Sequence, residues 1–260
     1  MGTVMTDGEL SRWIDAHIVR LGQSAIRILD GSVIYIDAFR KSEGLPKADF
    51  IFVTHEHGDH FNPGVIQALR GPDTHVVVPE SMRETGKDGG LSTAGIRPGE
   101  TATVGSLIVK AFPAYNLRKP MHARHKGHVG YHITLPGGIT VYHAGDTDFV
   151  SEMKEVDADI ALIPVGGLAT MNWRDALEAM SAIGARVTIP IHYGIVPMSR
   201  QAAQKFISRG PNHLQDRSNR QIRCRDGQCR LPVRPHRLCE TGGGEISACD
   251  RPGAATRGQC

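Results

Sequence analysis

Directly after the apolar run Phe50-Ile51-Phe52-Val53 the chain reads Thr54-His55-Glu56-His57-Gly58-Asp59-His60, with four candidate metal ligands in six residues. Neutral imidazole together with carboxylate is a typical zinc set. In an extended segment His55 and His57 point to the same side and can share one ion. Gly58 permits a sharp bend, so Asp59 and His60 can face a neighbouring ion. A lone histidine would read as a surface residue; this density at a strand end reads as a metal site. One loop cannot complete two coordination spheres, so the fold must bring other strand ends to the same place.

Two later strand ends qualify. Thr140-Val141-Tyr142-His143-Ala144-Gly145-Asp146-Thr147 places a carboxylate after a glycine, and Ile189-Pro190-Ile191-His192-Tyr193-Gly194 ends in a histidine. Asp146 and His192 would be ordinary turn residues by themselves. Beside the histidine-rich loop they become candidate ligands.

The local patterns give the frame. Ser24 to Leu29 alternates, Asp30-Gly31 supplies a turn, and Val33 to Ile36 returns as a hairpin. Phe50–Val53 and His75–Val78 read as buried strands, with Asn62-Pro63 starting a helix between them. Gly86 to Gly99 reads as loop, and Leu107–Phe112 as a strand. Val129–Leu135 and Ile139–Tyr142 flank Pro136-Gly137-Gly138 as a second hairpin. Ile160–Ile163 and Val187–Pro190 are short buried strands around a helix that Asn172 caps, with Asp175 at the capping-box position. Ser199 is expected to cap a last helix through Ile207. A strand-and-hairpin half followed by a β-α-β-α half implies an α/β protein of two packed sheets with helices outside.

With 260 residues, 40% hydrophobic and 22% charged, the chain has the composition of a soluble globular protein. No apolar run is long enough to span a bilayer, and the N-terminal stretch is no secretory signal, so a cytoplasmic protein is expected. The net charge of +3 is uneven. Residues 209–260 hold 10 Arg, no Lys and 5 acids, all 5 cysteines, no aromatic residue and only six Leu, Ile or Val. Such a segment has little apolar surface to offset the entropy of ordering it. Without a Cys-x-x-Cys pair it makes a poor zinc site, and without interleaved aromatics a poor nucleic-acid binder. It is expected to be disordered or aberrant, with the look of an out-of-frame reading of a GC-rich gene. Residues 1–208 are taken as the functional domain.

The pattern His55-x-His57-x-Asp59-His60, followed by Gly145-Asp146-Thr147 and His192, resembles the metallo-β-lactamase-fold hydrolases. Tyr35-Ile36-Asp37, His143-Ala144-Gly145-Asp146-Thr147, Pro164-Val165-Gly166-Gly167, Thr170-Met171 and Ile189–Tyr193 are similar to the lactonase-like branch, with the ascorbate-6-phosphate lactonase and N-acyl-phosphatidylethanolamine phospholipase D relatives. The resemblance runs from about Ile18 to Phe206 and implies an αββα sandwich. It also implies a dinuclear centre, most often zinc, with manganese or iron as alternatives. His55 and His57 would hold the first ion, Asp59, His60 and His192 the second, and Asp146 would bridge them. Two positions depart from the family pattern. Asn116 stands where a further histidine on the first ion is expected, and Gln23 where relatives usually carry histidine. His122 or His143 could replace the missing ligand.

Two cations sharing a carboxylate lower the pKa of a bridging water and polarise the group under attack. The chain offers no competing Ser/His/Asp or Cys/His arrangement. Asp59 could shuttle a proton to the leaving group, and His143 could stabilise developing negative charge or orient Asp146. Gly166-Gly167 and Thr170-Met171, between a strand and a capped helix, could bind an anionic group, although a glycine there is usually a turn. The function expected is metal-dependent hydrolysis of a small-molecule ester, lactone or phosphodiester. The rivals are a nuclease of the same fold, disfavoured by the net negative body, and a non-catalytic metal-binding protein.

Overall fold

The computed structural model describes residues 5–40, 44–88, 93–195, 197–210, 223–225 and 228–230. A first helix, α1 (Asp7–His17), is opened by a capping box in which Thr6 and Glu9 satisfy each other's backbone N–H. The first sheet is built in chain order from β1 (Ile18–Gly22), β2 (Ala25–Leu29), β3 (Val33–Ile36), β4 (Ala48–Phe52), β5 (Arg70–Pro79) and β6 (Ala94–Ile96). Its first two pairings are antiparallel and the remaining three parallel. The helix α2 (Pro63–Leu69) joins β4 to β5, with the Asn62 side chain accepting from Val65 N and proline in the first turn.

The second sheet repeats that plan. The strands β7 (Thr101–Val104), β8 (Leu107–Pro113), β9 (Val129–Thr134) and β10 (Thr140–His143) pair antiparallel, and β11 (Ile160–Pro164) and β12 (Val187–Ile191) add on parallel. Parallel neighbours need a crossover, and α4 (Trp173–Ala182), with its Asn172–Asp175 capping box, supplies it between β11 and β12. A short helix α3 (Arg83–Asp88) precedes β6, and α5 (Pro197–Arg209) follows β12.

Alternation along each strand sorts the core into layers. Ile26, Ile36, Phe50 and Phe52 of the first sheet face Val109, Tyr131, Val141 and Leu162 of the second, and Leu10, Trp13 and Ile14 of α1 join that cluster. The opposite faces pack on helices. Tyr35, Ile51 and Val78 meet Val65, Ile66 and Leu69 of α2, and Tyr142, Ala161 and Ile163 meet Ala176, Ala179 and Phe206 of α4 and α5. Four layers, helix, sheet, sheet, helix, are the αββα arrangement.

Three local expectations are corrected. The Gly86–Gly99 stretch is not all loop, because α3 ends in it and β6 pairs parallel with β5 there. Ser199 lies inside α5 and does not cap it; its hydroxyl accepts from Gly194 N at 2.9 Å, tying the helix to the loop after β12. The helix α1 and strands β1 and β7 are additions that the sequence patterns did not supply. In the tail, β13 (Arg223–Arg225) and β14 (Gln228–Arg230) pair antiparallel, and β14 lies beside β1. The rest of residues 211–260, with the expectation of disorder attached to it, lies outside the described residues.

Candidate metal centre

The candidate ligands come from the C-terminal ends of strands in both sheets. The loop after β4 carries His55, His57, Asp59 and His60, the turn after β10 carries Asp146, and His192 directly follows β12. Their donor atoms fall into three overlapping groups, each within 4.8 Å: His55, His57 and His122; His55, His60 and Asp146; Asp59, His60 and His192. Asp146 is central. Its Oδ2 lies 2.9 Å from His192 Nε2, 3.6 Å from His122 Nε2 and 3.9 Å from His55 Nε2, while Oδ1 lies 3.4 Å from His60 Nε2. One carboxylate thus faces an imidazole group on each side. Gly145, at φ 67°, makes the turn that aims it, in a conformation L side chains rarely adopt.

A hydrogen-bond chain sets the histidine tautomers. His60 Nδ1 donates to Asp37 Oδ2 at 2.7 Å. Thr54 donates to Asp37 through its backbone N and its hydroxyl, both at 2.8 Å, and the hydroxyl accepts from His55 Nδ1 at 2.9 Å. Both histidines therefore present Nε2 inward, the arrangement in which a carboxylate or carbonyl orients a metal-binding imidazole. His122 Nδ1 donates to the Ala169 carbonyl at 3.0 Å, which leaves Nε2 facing His57 Nδ1 at 3.0 Å. His55 Nε2, His60 Nε2 and Asp146 Oδ1 are buried without a hydrogen-bond partner among the described residues. Buried polar atoms are rarely left so, and these converge with the chemistry of a cation site. The residues present fit a metal ion.

A beta-lactamase superfamily domain model matches residues 35–193, which span every candidate ligand. A UPF0173 metal-dependent hydrolase of Nitratidesulfovibrio vulgaris (strain Hildenborough) is 31% identical over 210 residues, covering 75% of this chain and 87% of the relative. Another, from Thermus thermophilus, is 32% identical, covering 73% and 88%. The chain belongs to the UPF0173 metal-dependent hydrolase family. A solved Parabacteroides distasonis protein, 33% identical, superposes with a TM-score of 0.63 over 70% of this chain and 84% of its own, and shares the metallo-β-lactamase fold.

In this hydrolase the two departures from the expected ligand pattern have distinct surroundings. Asn116 uses its amide nitrogen on the carbonyls of Met121 and Ala169, at 2.8 and 2.7 Å, and so fastens two loops beside His122. Gln23, at φ 44°, brings its Nε2 to 3.2 Å from Asp59 Oδ2 and 3.1 Å from His192 Nε2, and its carbonyl accepts from His192 N at 3.0 Å. His143 is buried outside the three groups. Its Nδ1 accepts from Gly145 N at 3.2 Å, and its Nε2 donates to the Ser24 carbonyl at 2.9 Å.

Burial and neighbouring charge divide the titrating groups. Burial, then the charge of His60, pushes His55 well below the ordinary histidine range. His60 is held well above it: burial opposes this, but Asp146 and Asp37 on its two sides prevail. Asp146 is held well below the carboxylate range because His60 and His192 outweigh its burial.

Two features escape a sequence reading of this hydrolase. His128 reads in sequence as an ordinary surface or strand histidine, yet it is buried, packs its ring 5.1 Å from that of His55, and sets Nε2 2.8 Å from Glu56 Oε2. Burial pushes it down to about 4. Gly166 has a reason other than anion binding: a Cβ there would stand 2.5 Å from His192 Nδ1 and 2.7 Å from the His192 carbonyl oxygen. Glycine after a strand is too common to signal such a contact. No helix among the described residues is long and apolar enough to cross a membrane.

Proposed function

We propose that this protein binds two divalent ions, zinc foremost with manganese or iron as alternatives, and hydrolyses a small ester, lactone or phosphodiester, as in the lactonase-like branch. His55, His57 and His122 would hold the first ion, and Asp59, His60 and His192 the second, with Asp146 between them. The observation that carries the reading is Asp146, whose two oxygens face His60 on one side and His55, His122 and His192 on the other. When bound, such a pair supplies an activated water near neutral pH and a Lewis acid for the scissile group.

The protein's own residues have separable tasks. Asp37 and Thr54 orient His60 and His55. His143 braces the turn that presents Asp146, through Gly145 N. Asp59 is 37% exposed at its side chain while Asp146 is 3% exposed, so Asp59 is the carboxylate placed to pass a proton to a departing group. The substrate would be a small molecule, with no role for nucleic acid. Elemental analysis of reconstituted full-length protein tests the centre, with close to two ions per chain expected. A screen of generic esters, lactones and phosphodiesters tests the chemistry. Protein with no bound transition metal, or loaded protein inert towards all three classes, overturns the reading.

A further inference from the structure

Six large apolar side chains are exposed among the described residues: Ile108, Leu117, Met121, Leu168, Ile195 and Met198. Scattered singly, such residues need no explanation. These are not scattered. Five stand close in sequence to residues of the candidate centre, four on loops and Met198 in the first turn of α5, and they are between 39% and 77% exposed. Leu117 follows Asn116, Met121 precedes His122, Leu168 precedes Ala169, and Ile195 and Met198 follow His192.

The loops bearing the first three are pinned together at the centre itself. Asn116 donates to the carbonyls of Met121 and Ala169, His122 Nδ1 donates to the same Ala169 carbonyl, and Lys119 Nζ donates to the Thr170 carbonyl at 2.9 Å. Leu117, Met121 and Leu168 therefore each adjoin a residue of one hydrogen-bonded knot whose inner face is the candidate ligand His122. Lys119 is also paired with Asp148, whose other oxygen accepts from Leu117 N at 2.9 Å, so its charge is engaged within the knot. Exposing apolar surface to water at the mouth of a polar site is unfavourable unless something covers it during function. The contiguity with the ligands says what does: the part of the substrate next to the bond being cleaved.

Building on the proposed function, we propose that Leu117, Met121 and Leu168 form an apolar specificity rim, and that the substrate carries an aliphatic or aromatic group adjoining its scissile bond. An open rim desolvates a chain on one side only, so selectivity should grow steadily with chain length without a sharp cut-off.

The test uses binding, so that it stands apart from turnover. Full-length protein loaded with zinc, its metal content measured, is titrated calorimetrically with straight-chain hydroxamic acids from acetyl to octanoyl, whose head group chelates the centre. Affinity is expected to rise at least about tenfold along the series. Leu117→Ser with Leu168→Ser, and separately Met121→Ser, should flatten that rise while metal content stays unchanged. A flat series on wild-type protein, or an undiminished rise in the serine variants, overturns the rim while leaving the metal centre standing. Metal-loaded protein that binds no member of the series overturns the rim and, with it, the reading of the centre as one open to a chelating substrate. A dimer that Leu168→Ser dissociates, together with a flat series, would give the rim to a second copy of the chain and overturn the inference.

Discussion

His60 and Asp37 share a hydrogen bond of 2.7 Å, and neither side chain is exposed to solvent. Asp37 holds φ 53° to make it, a conformation uncommon outside glycine. The same carboxylate receives both donors of Thr54, and through Thr54 it governs His55. One residue that reaches no ion thus orients a histidine in each proposed half of the centre. Replacing it as Asp37→Asn leaves the size and puts an amide nitrogen where two acceptors were needed. Metal affinity is expected to fall about 10–100-fold, read by competition with a chromogenic chelator. Unchanged affinity would remove Asp37 from the account.

His122 should be indispensable to one ion only. In His122→Ala, metal content is expected to drop from about two ions per chain to about one, because His57 loses its 3.0 Å neighbour while Asp59, His60 and His192 are untouched. His143→Ala, whose ring faces backbone groups, should keep both ions and bind them less tightly. If both variants retain full occupancy, Asn116 or solvent completes the first site.

Gly166→Ala tests the opposite side. The added methyl meets the His192 ring and carbonyl at distances no real contact tolerates, so His192 must move and its ion should be lost. The readout is again metal stoichiometry, with Gly167→Ala as a comparison, where the nearest atoms stand at 3.7 Å and the strain is confined to φ 85°. Equal metal loss in the two variants would argue that any disturbance of this loop suffices.

Acid should destabilise the metal-free protein through His128. Burial lowers its folded pKa to about 4, against an unfolded value near 6.5. Between those values the unfolded chain takes up a proton that the folded one does not. The stability contributed is therefore full above about pH 6.5 and is lost as pH falls towards about 4. His128→Gln removes the titration, so its denaturant midpoint should fall less steeply over that window. An identical pH slope would show that other groups carry the acid response.

The tail is expected to be dispensable for the centre. Ending the chain after Ser208 removes no proposed ligand, and metal content should be unchanged. Loss of metal or of cooperative unfolding would instead assign the β13–β14 hairpin beside β1 a structural role.

What could be read ahead of the structure was what local chemistry encodes. The capping signals at Asn62 and Asn172, the two hairpins and the buried apolar run Phe50 to Val53 depend on near neighbours, and each is found where the pattern placed it. The ligand-rich loop was legible by its density. His122 was legible only as one alternative, because its position follows from φ 58° and from the carbonyl of Ala169, 47 residues away. His128 and Gly166 carry no local mark at all; what distinguishes them is the approach of His55 and His192 from other strands. Ser199 misled because a hydroxyl near a helix start can serve a neighbouring loop as readily as the helix.

The origin of the ligands has a bearing on how the protein is assembled. His55, His57, Asp59 and His60 hang from the first sheet, whereas Asp146 and His192 hang from the second. Any ion seated among them fastens the two halves of the chain across a seam otherwise closed by side-chain packing and a few hydrogen bonds, such as those from His192 N to the Gln23 carbonyl and from His143 to the Ser24 carbonyl. Chelation would then do more than silence chemistry. It would unpick the stitch between the sheets, so that free-metal concentration sets the melting temperature and the apo chain opens first at this end of the sandwich.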